Sequence, residues 1–312
     1  MNAKSYLKQV GAFTARNIRI FFKDKGTVIS ALIAPLVILL LYVLFLHSVL
    51  KGTFESNLVD MPITLDAKLV NGFIAAYEVS SILAVCGVTV AFIANMAMVD
   101  DRMTGAYSDL SITPAPRSVL VLGYYFATAI VTAAVCYIAL AAGFCYNAAM
   151  GWGISVEDGF SIILDVLLTC LFGTAFSSIV CYFLKTRGAV NAVSTIVSTV
   201  YGFICGAYYP IAQFAKGIAD FVMCLPGTYC TGLLRTHFMG GFLDKFIDAG
   251  IPTDVAAGIL DSVDGRYYFF GSADPVPVWA MYLVVCLTVI ALVGAFVAIN
   301  VAHVRRGSKK RA

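Results

Sequence analysis

No Gly-Lys dipeptide occurs anywhere in the 312 residues, so the chain lacks GxxxxGK[ST], the loop whose backbone amides and lysine hold nucleotide phosphates. Any ATP this protein uses is therefore bound by another polypeptide. Charge is scarce as well: Asp, Glu, Lys and Arg make up 12% of the residues, roughly half the usual share. With 60% hydrophobic residues and a mean hydropathy of +0.88, one soluble core is excluded and a multispanning membrane protein is implied. The three histidines, His47, His237 and His303, lie far apart and near expected membrane boundaries, not as a catalytic cluster. Neither GxSxG nor HExxH occurs, which leaves hydrolytic catalysis without its residues. The nine cysteines form no CxxC and no Cys/His cluster at metal spacing. Cys86, Cys136, Cys170, Cys181, Cys205 and Cys286 fall in apolar runs and read as small packing residues. Cys224 and Cys230 are a pair that could meet outside those runs.

What the chain does have is long apolar runs. A spanning helix needs about 20 mostly apolar residues. Six runs qualify, at 27–49, 72–99, 119–142, 160–184, 190–207 and 278–302. The segments on one side of these runs carry fifteen Lys/Arg: six in 1–26, Arg102 and Arg117, Lys185 and Arg187, and five in the tail 303–312. The alternate segments carry six, spread over much longer stretches. Positive charge stays on the cytoplasmic side, so both termini are expected in the cytoplasm of a multi-pass inner-membrane protein. The first run is expected to be an anchor, since no short apolar stretch is followed by a small-residue cleavage site.

On a helical wheel, Lys8, Arg16, Arg19 and Lys23 of the opening segment share one side. Tyr6, Leu7, Val10, Phe13, Ile18 and Phe21 share the other. Such a helix is expected to lie in the inner interface, aromatics toward the bilayer and cations toward lipid headgroups; its partner is lipid and not nucleic acid.

Polar groups inside the runs are the next candidates. Glu78 and Asp165 fall in the second and fourth runs near their outer ends, where they either pair locally or serve as proton sites. In the fifth run Asn191, Ser194, Thr195, Ser198 and Thr199 form one stripe, followed by Tyr201. Small polar side chains suit either close helix packing or the lining of a translocation path. The segment 208–277, broken by Pro210 and Pro226, is half apolar and ends in an acidic, turn-rich stretch around Gly250-Ile251-Pro252 and Asp264-Gly265, read as a small cap.

Between the second and third runs stands VDDRMTGAYSDLSITPAPRS, a locally acidic loop on the basic side. Asp101, Arg102, Gly105, Leu110 and Pro114 keep the register of E-R-x-x-G-T-x-x-x-L-x-x-x-P, with Asp for Glu and Ala106 for Thr. After the fifth run come Gly206-Ala207-Tyr208-Tyr209-Pro210-Ile211, then Pro226-Gly227-Thr228-Tyr229, Arg235 and Gly240-Gly241. In these two stretches and in topology the chain resembles the permease subunit of type-2 ABC exporters, the architecture shared with the eukaryotic G subfamily. The resemblance covers 1–241 and the last run.

It implies an all-α membrane fold of six spans, with an interface helix at 1–26, a transmembrane domain at 27–302 and a helical outer segment at 208–277. It implies a cytoplasmic coupling helix with Asp100, Asp101 and Arg102 at its mouth and Pro114 near its end, docking on a separate ATPase. Two ATPase subunits carrying ATP and Mg would drive a pair of permease chains, identical or merely similar. The path would lie between the two copies, lined by Asn191, Ser198 and Tyr201, with Tyr208, Tyr209 and Pro210 at an outer constriction. Many aromatics and few buried charges favour an amphipathic or apolar cargo, such as a drug, lipid or lipid-linked product. The rival readings are a proton-coupled secondary transporter using Glu78 or Asp165, and a membrane scaffold or sensor.

Overall fold

The structure is a computed structural model that describes residues 3–42, 44, 47–48, 51–52, 66–113, 115–269, 272 and 274–309. Local sequence explains where its helices begin. Asp66 accepts from the amide of Lys68 at 3.0 Å and starts α3 (Ala67–Ala94). Ser155 caps α7 (Val156–Phe183) through the Asp158 amide at 3.0 Å, and Thr186 caps α8 (Arg187–Ile204) through the Ala189 amide at 3.2 Å. Pro226 occupies the first turn of α10 (Pro226–Asp248), where its missing N–H is of no consequence. The remaining helices are α1 (Ala3–Lys23), α2 (Lys25–Leu41), α4 (Met96–Met103), α5 (Ala106–Ile112), α6 (Arg117–Met150), α9 (Lys216–Met223), α11 (Thr253–Ser262) and α12 (Val278–Lys309). Among the described residues the only pairing of the β type is an isolated bridge between Tyr268 and Pro275.

The arrangement is an all-helical bundle built around α3. That helix is rich in small residues (Ala75, Ala76, Ser80, Ser81, Ala84, Gly87, Ala91) and is buried over nearly its whole length. Small side chains let neighbouring backbones approach. The α3–α7 crossing is the clearest case: a Cβ on Gly173 would stand 2.3 Å from the carbonyl oxygen of Gly87. Helices α6, α7, α10, α2 and α8 surround α3, and α12 packs on α7 and α10 while leaving most of its apolar surface outward. Near the break between α3 and α4, Asn95 donates to Ser177 Oγ (2.6 Å) and accepts from Thr128 Oγ1 (3.2 Å), which ties three helices together with satisfied polar groups.

Four helical stretches among the described residues are long and apolar enough to cross a membrane: Ala67–Met103, Arg117–Met150, Val156–Phe183 and Val278–Asn300. A fifth arises if α9 and α10, bent by 91° against each other, count as one span. The expected six are thus not all recovered. The first expected run begins as α2, with Pro35 inside it, and continues into residues most of which lie outside those described. The fifth is the 18-residue α8, whose Arg187, Asn191 and four Ser/Thr side chains lower its apolarity. The segment 208–277 is largely helical, and α10 drives Leu233, Leu234, Phe238 and Phe242 into the bundle.

Two sequence expectations are corrected. Val10, Phe13, Thr14, Asn17 and Phe21 of α1 rest on protein, chiefly α6, where Phe13 meets Tyr124 edge-on at 5.1 Å. Only Leu7, Ile20 and Phe22 are left exposed among its larger apolar side chains. The aromatic face expected to meet lipid is therefore mostly a packing face. Cys224 and Cys230 are both free thiols, because Cys230 is buried within α10 while Cys224 is exposed in the bend before it.

The Gly87–Gly173 approach makes a direct prediction. Gly173→Ala should destabilise the protein by about 1–3 kcal/mol through overpacking, read as a lower thermal midpoint in detergent. Gly294→Ala, where an added Cβ meets nothing within 4 Å and Ala favours the helix, should not lower that midpoint.

Candidate functional site

The polar stripe of α8 recurs at intervals of three and four residues, so Asn191, Ser194, Thr195, Ser198 and Thr199 share one face. That face borders a groove of about 590 Å³ whose other walls are Ser30 of α2, Thr89 and Ile93 of α3, and Met96. Thr195 and Thr199 turn their hydroxyls back to the carbonyls of Asn191 and Thr195, each at 2.9 Å. Thr89 donates to Ser198 at 2.9 Å and stitches α3 to α8. Tyr208 closes one end of the groove, its ring 6.5 Å from Tyr42 and 5.3 Å from Phe203. Asp24, Thr27 and Arg187 border it as well.

Asn191, Ser198 and Tyr208 are thus brought to one groove, but the other three expected path residues are not. Tyr201 swings away, donates to the Gly227 carbonyl at 3.3 Å and borders an apolar cleft of about 380 Å³ with Phe172, Phe176 and Leu292. Gly227 makes room for it: a Cβ there would lie 2.7 Å from the tyrosine ring. Tyr209 is exposed and stacks on Phe214 at 5.8 Å, and Pro210 is buried ahead of the short 3-10 turn Ile211–Gln213.

That turn belongs to a clamp built on Arg235, a side chain with 0% exposure. Its guanidinium donates to Asp264 Oδ2 (2.9 Å), to Ser81 Oγ (3.1 Å) and to the Gly206 carbonyl, and lies 4.3 Å from the centre of the Tyr77 ring. Asp264 in turn accepts from the amides of Ile211 (2.5 Å) and Ala212 (2.8 Å). One ion pair therefore joins α3, α10, the 206–212 segment and the turn after α11. Arg235 stands at the spacing noted in the sequence, while Asp264 was read only as part of a turn.

The loop between the second and third runs folds as two short helices with Gly105 between them at φ +82°, a backbone geometry natural to glycine. Asp100, Asp101 and Arg102 face the protein. Arg16 grips Asp101 with two bonds, 2.7 and 3.1 Å, and Tyr124 donates to the same carboxylate at 2.5 Å. The bond to Asp101 raises the Arg16 pKa still higher, so the guanidinium stays charged. Asp100 is held by Arg187 in a second two-bonded pair, with Nη2 to Oδ2 at 2.7 Å. Arg102 donates to the Tyr182 carbonyl at 2.7 Å and lies against the rings of Tyr182 and Tyr107. Leu110 is half-buried, and Pro114 lies outside the described residues. The outward surface instead presents Met103 (53% exposed), Ile112 (82%) and Asp109. Of the four α1 cations expected to face lipid headgroups, Lys8, Arg19 and Lys23 are exposed, while Arg16 is turned to Asp101.

Glu78 and Asp165 are fully buried and paired locally. Tyr146 donates to Glu78 at 2.9 Å and His47 Nδ1 lies 3.4 Å away. Asp165 meets His237 Nδ1 at 2.6 Å and the Tyr282 hydroxyl at 2.7 Å. Neither carboxylate lines the polar groove. Among the described residues no group of three or more His, Cys, Asp or Glu could hold a metal ion.

A family model described as ABC-2 type transporter matches residues 8–239. No individually curated protein matches the chain.

The clamp can be tested by its electrostatics. Asp264→Asn leaves the Arg235 charge buried without a counter-ion and should cost about 3–5 kcal/mol. Adding Arg235→Met should recover part of that loss, so the double variant is more stable than the sum of the singles. A denaturation midpoint for Asp264→Asn equal to that of the parent would refute the clamp.

Proposed function

As a member of the ABC-2 type transporter family, the chain is a transmembrane permease component rather than an ATPase, and we propose that it forms half of the path of an ATP-driven exporter in the cytoplasmic membrane. Two ATPase subunits, carrying ATP and Mg, would dock on the basic side against α5. A second permease chain would close the groove beside α8, whose polar face is left largely uncovered in one copy. Both termini would then be cytoplasmic, in keeping with the excess of Lys/Arg there.

One observation carries this reading: two ion pairs link the α4–α5 loop to the elements beside the groove. Asp100–Arg187 ties it to the first residue of α8, and Asp101–Arg16 ties it to α1. A displacement imposed on the loop from outside is therefore passed to α8 and α1 together, as a rigid-body shift. The residues left to receive the ATPase are the exposed ones, Met103, Ile112 and Asp109, with Gly105 setting the angle between the two short helices. Asp100, Asp101 and Arg102 act behind them as transmission. The groove offers hydroxyl and amide groups beside Ile93 and Met96, which suits an amphipathic cargo with neutral hydrogen-bonding groups.

Affinity purification of the full chain should recover a nucleotide-hydrolysing partner. Ile112→Asp, at an exposed position, should cut that recovery about tenfold, the effect of a hot-spot residue, without altering insertion or thermal midpoint. Arg187→Ala should keep the partner bound and lower the ATP hydrolysis of the assembled complex. Undiminished recovery with Ile112→Asp would sink the docking site, and purification with no ATPase at all would sink the transporter reading.

A further inference from the structure

A second cavity, of about 520 Å³, lies where the ends of α4, α6 and α7 meet Asn300 of α12, and transport through the groove gives it no role. Its polar walls are Arg102, Tyr107, Arg117, Tyr182, Lys185 and Asn300. These include three cations, and no carboxylate is among the lining residues that are described. Arg102 is fixed in place by the Tyr182 carbonyl and by the two tyrosine rings, with guanidinium donors left over. Arg117 and Lys185 have no ion pair among the described residues, so their charge serves no contact of the fold there. Arg117 is also the first residue of α6, which has no side-chain cap; the open amides of that turn add partial positive charge at the same corner.

The rim has the opposite character. Phe183, 64% exposed, and Leu184 border the cavity, and Asn300 stands at the end of the apolar, outward-facing stretch of α12. A ligand that satisfies both parts has an anionic head and an apolar tail. We infer that this pocket holds the phosphate of an anionic membrane lipid, with its acyl chains running along α7 and α12. A dissolved phosphate would satisfy the cations but leave the aromatic rim without a function. Because Arg102 and Tyr107 belong to α4 and α5, an occupied pocket buttresses the loop that passes motion to α8. Under the orientation proposed above the lipid comes from the inner leaflet; the binding itself does not rest on that reading.

Native mass spectrometry of the full chain in detergent, titrated with phosphatidylglycerol, phosphatidylcholine or inorganic phosphate, tests this. The parent protein should retain phosphatidylglycerol in preference to phosphatidylcholine. Arg117→Gln with Lys185→Gln should weaken that retention about tenfold or more, as expected for two cations near a phosphate. Lys25→Gln with Lys216→Gln, which removes the same charge from exposed positions outside the pocket lining, should leave it unchanged. Equal losses in the two double variants would reduce the effect to diffuse surface charge and overturn the site. Equal retention of phosphatidylcholine, or displacement of the lipid by inorganic phosphate at the same concentration, would overturn the lipid assignment. Should the first double variant unfold, the exposed single Lys185→Gln must weaken retention about threefold by itself, and no change there would equally overturn the proposal.

Discussion

A guanidinium sealed from water is expensive to bury, and the protein accepts that cost at Arg235 by giving it a carboxylate, a carbonyl, a hydroxyl and a tyrosine face at once. Buried ion pairs of this kind add little net stability over an apolar filling, but they tolerate only one arrangement of their partners. Here that arrangement fixes where the chain leaves α8. With Asp264 holding the amides of Ile211 and Ala212, and Arg235 holding the Gly206 carbonyl, the segment that carries Tyr208 is pinned at both ends. Tyr42 adds a third tie, donating to the Ala207 carbonyl at 2.9 Å. The end of the groove closed by Tyr208 is therefore set by long-range contacts, and not by the proline alone.

The opposite end of α8 is held by different means. Arg187 is exposed for most of its side chain, and its bond to Asp100 is screened by water, so that pair is worth far less than the buried one. The helix is thus anchored firmly at its Tyr208 end and lightly at its Arg187 end. Its middle is joined to α3 by the Thr89–Ser198 bond. Such a helix pivots about the clamp more readily than it translates, so movement of the α4–α5 loop would change the width of the groove most at the Arg187 end.

How much of this was legible in the sequence depended on how far apart the partners lie. The α8 stripe could be read because its period is local. The basic helix α1 could be read for the same reason, yet the direction of its aromatic face could not, since Tyr124 and a lipid tail are equally apolar neighbours for Phe13. The loop's acids looked like contacts for a partner because their own cations, Arg16 and Arg187, stand 85 and 87 residues away. Asp264 was hidden by its neighbour: Asp-Gly is a turn signal, and nothing local tells a solvated turn from one whose carboxylate is buried against a helix 29 residues upstream. Tyr201 missed the groove because the slot that receives it is made by Gly227, in a helix that begins only after a 3-10 turn and α9.

The loop's charged residues divide their work by neighbour. Asp101 is the most buried of the three and binds α1 to α6 through Arg16 and Tyr124. Asp100 reaches α8. Arg102 faces neither; it turns to the end of α7 and shares its two tyrosines with the basic cavity. Three consecutive residues of α4 thus touch α1, α8 and the pocket with an apolar rim. Whatever presses on the exposed Ile112 face acts on all three at once, and whatever stiffens one of them limits how far the other two can move. That shared neighbourhood, more than any single contact, is what sets Asp100, Asp101 and Arg102 apart from Asp109: their charges are spent inward, each on a different part of the fold.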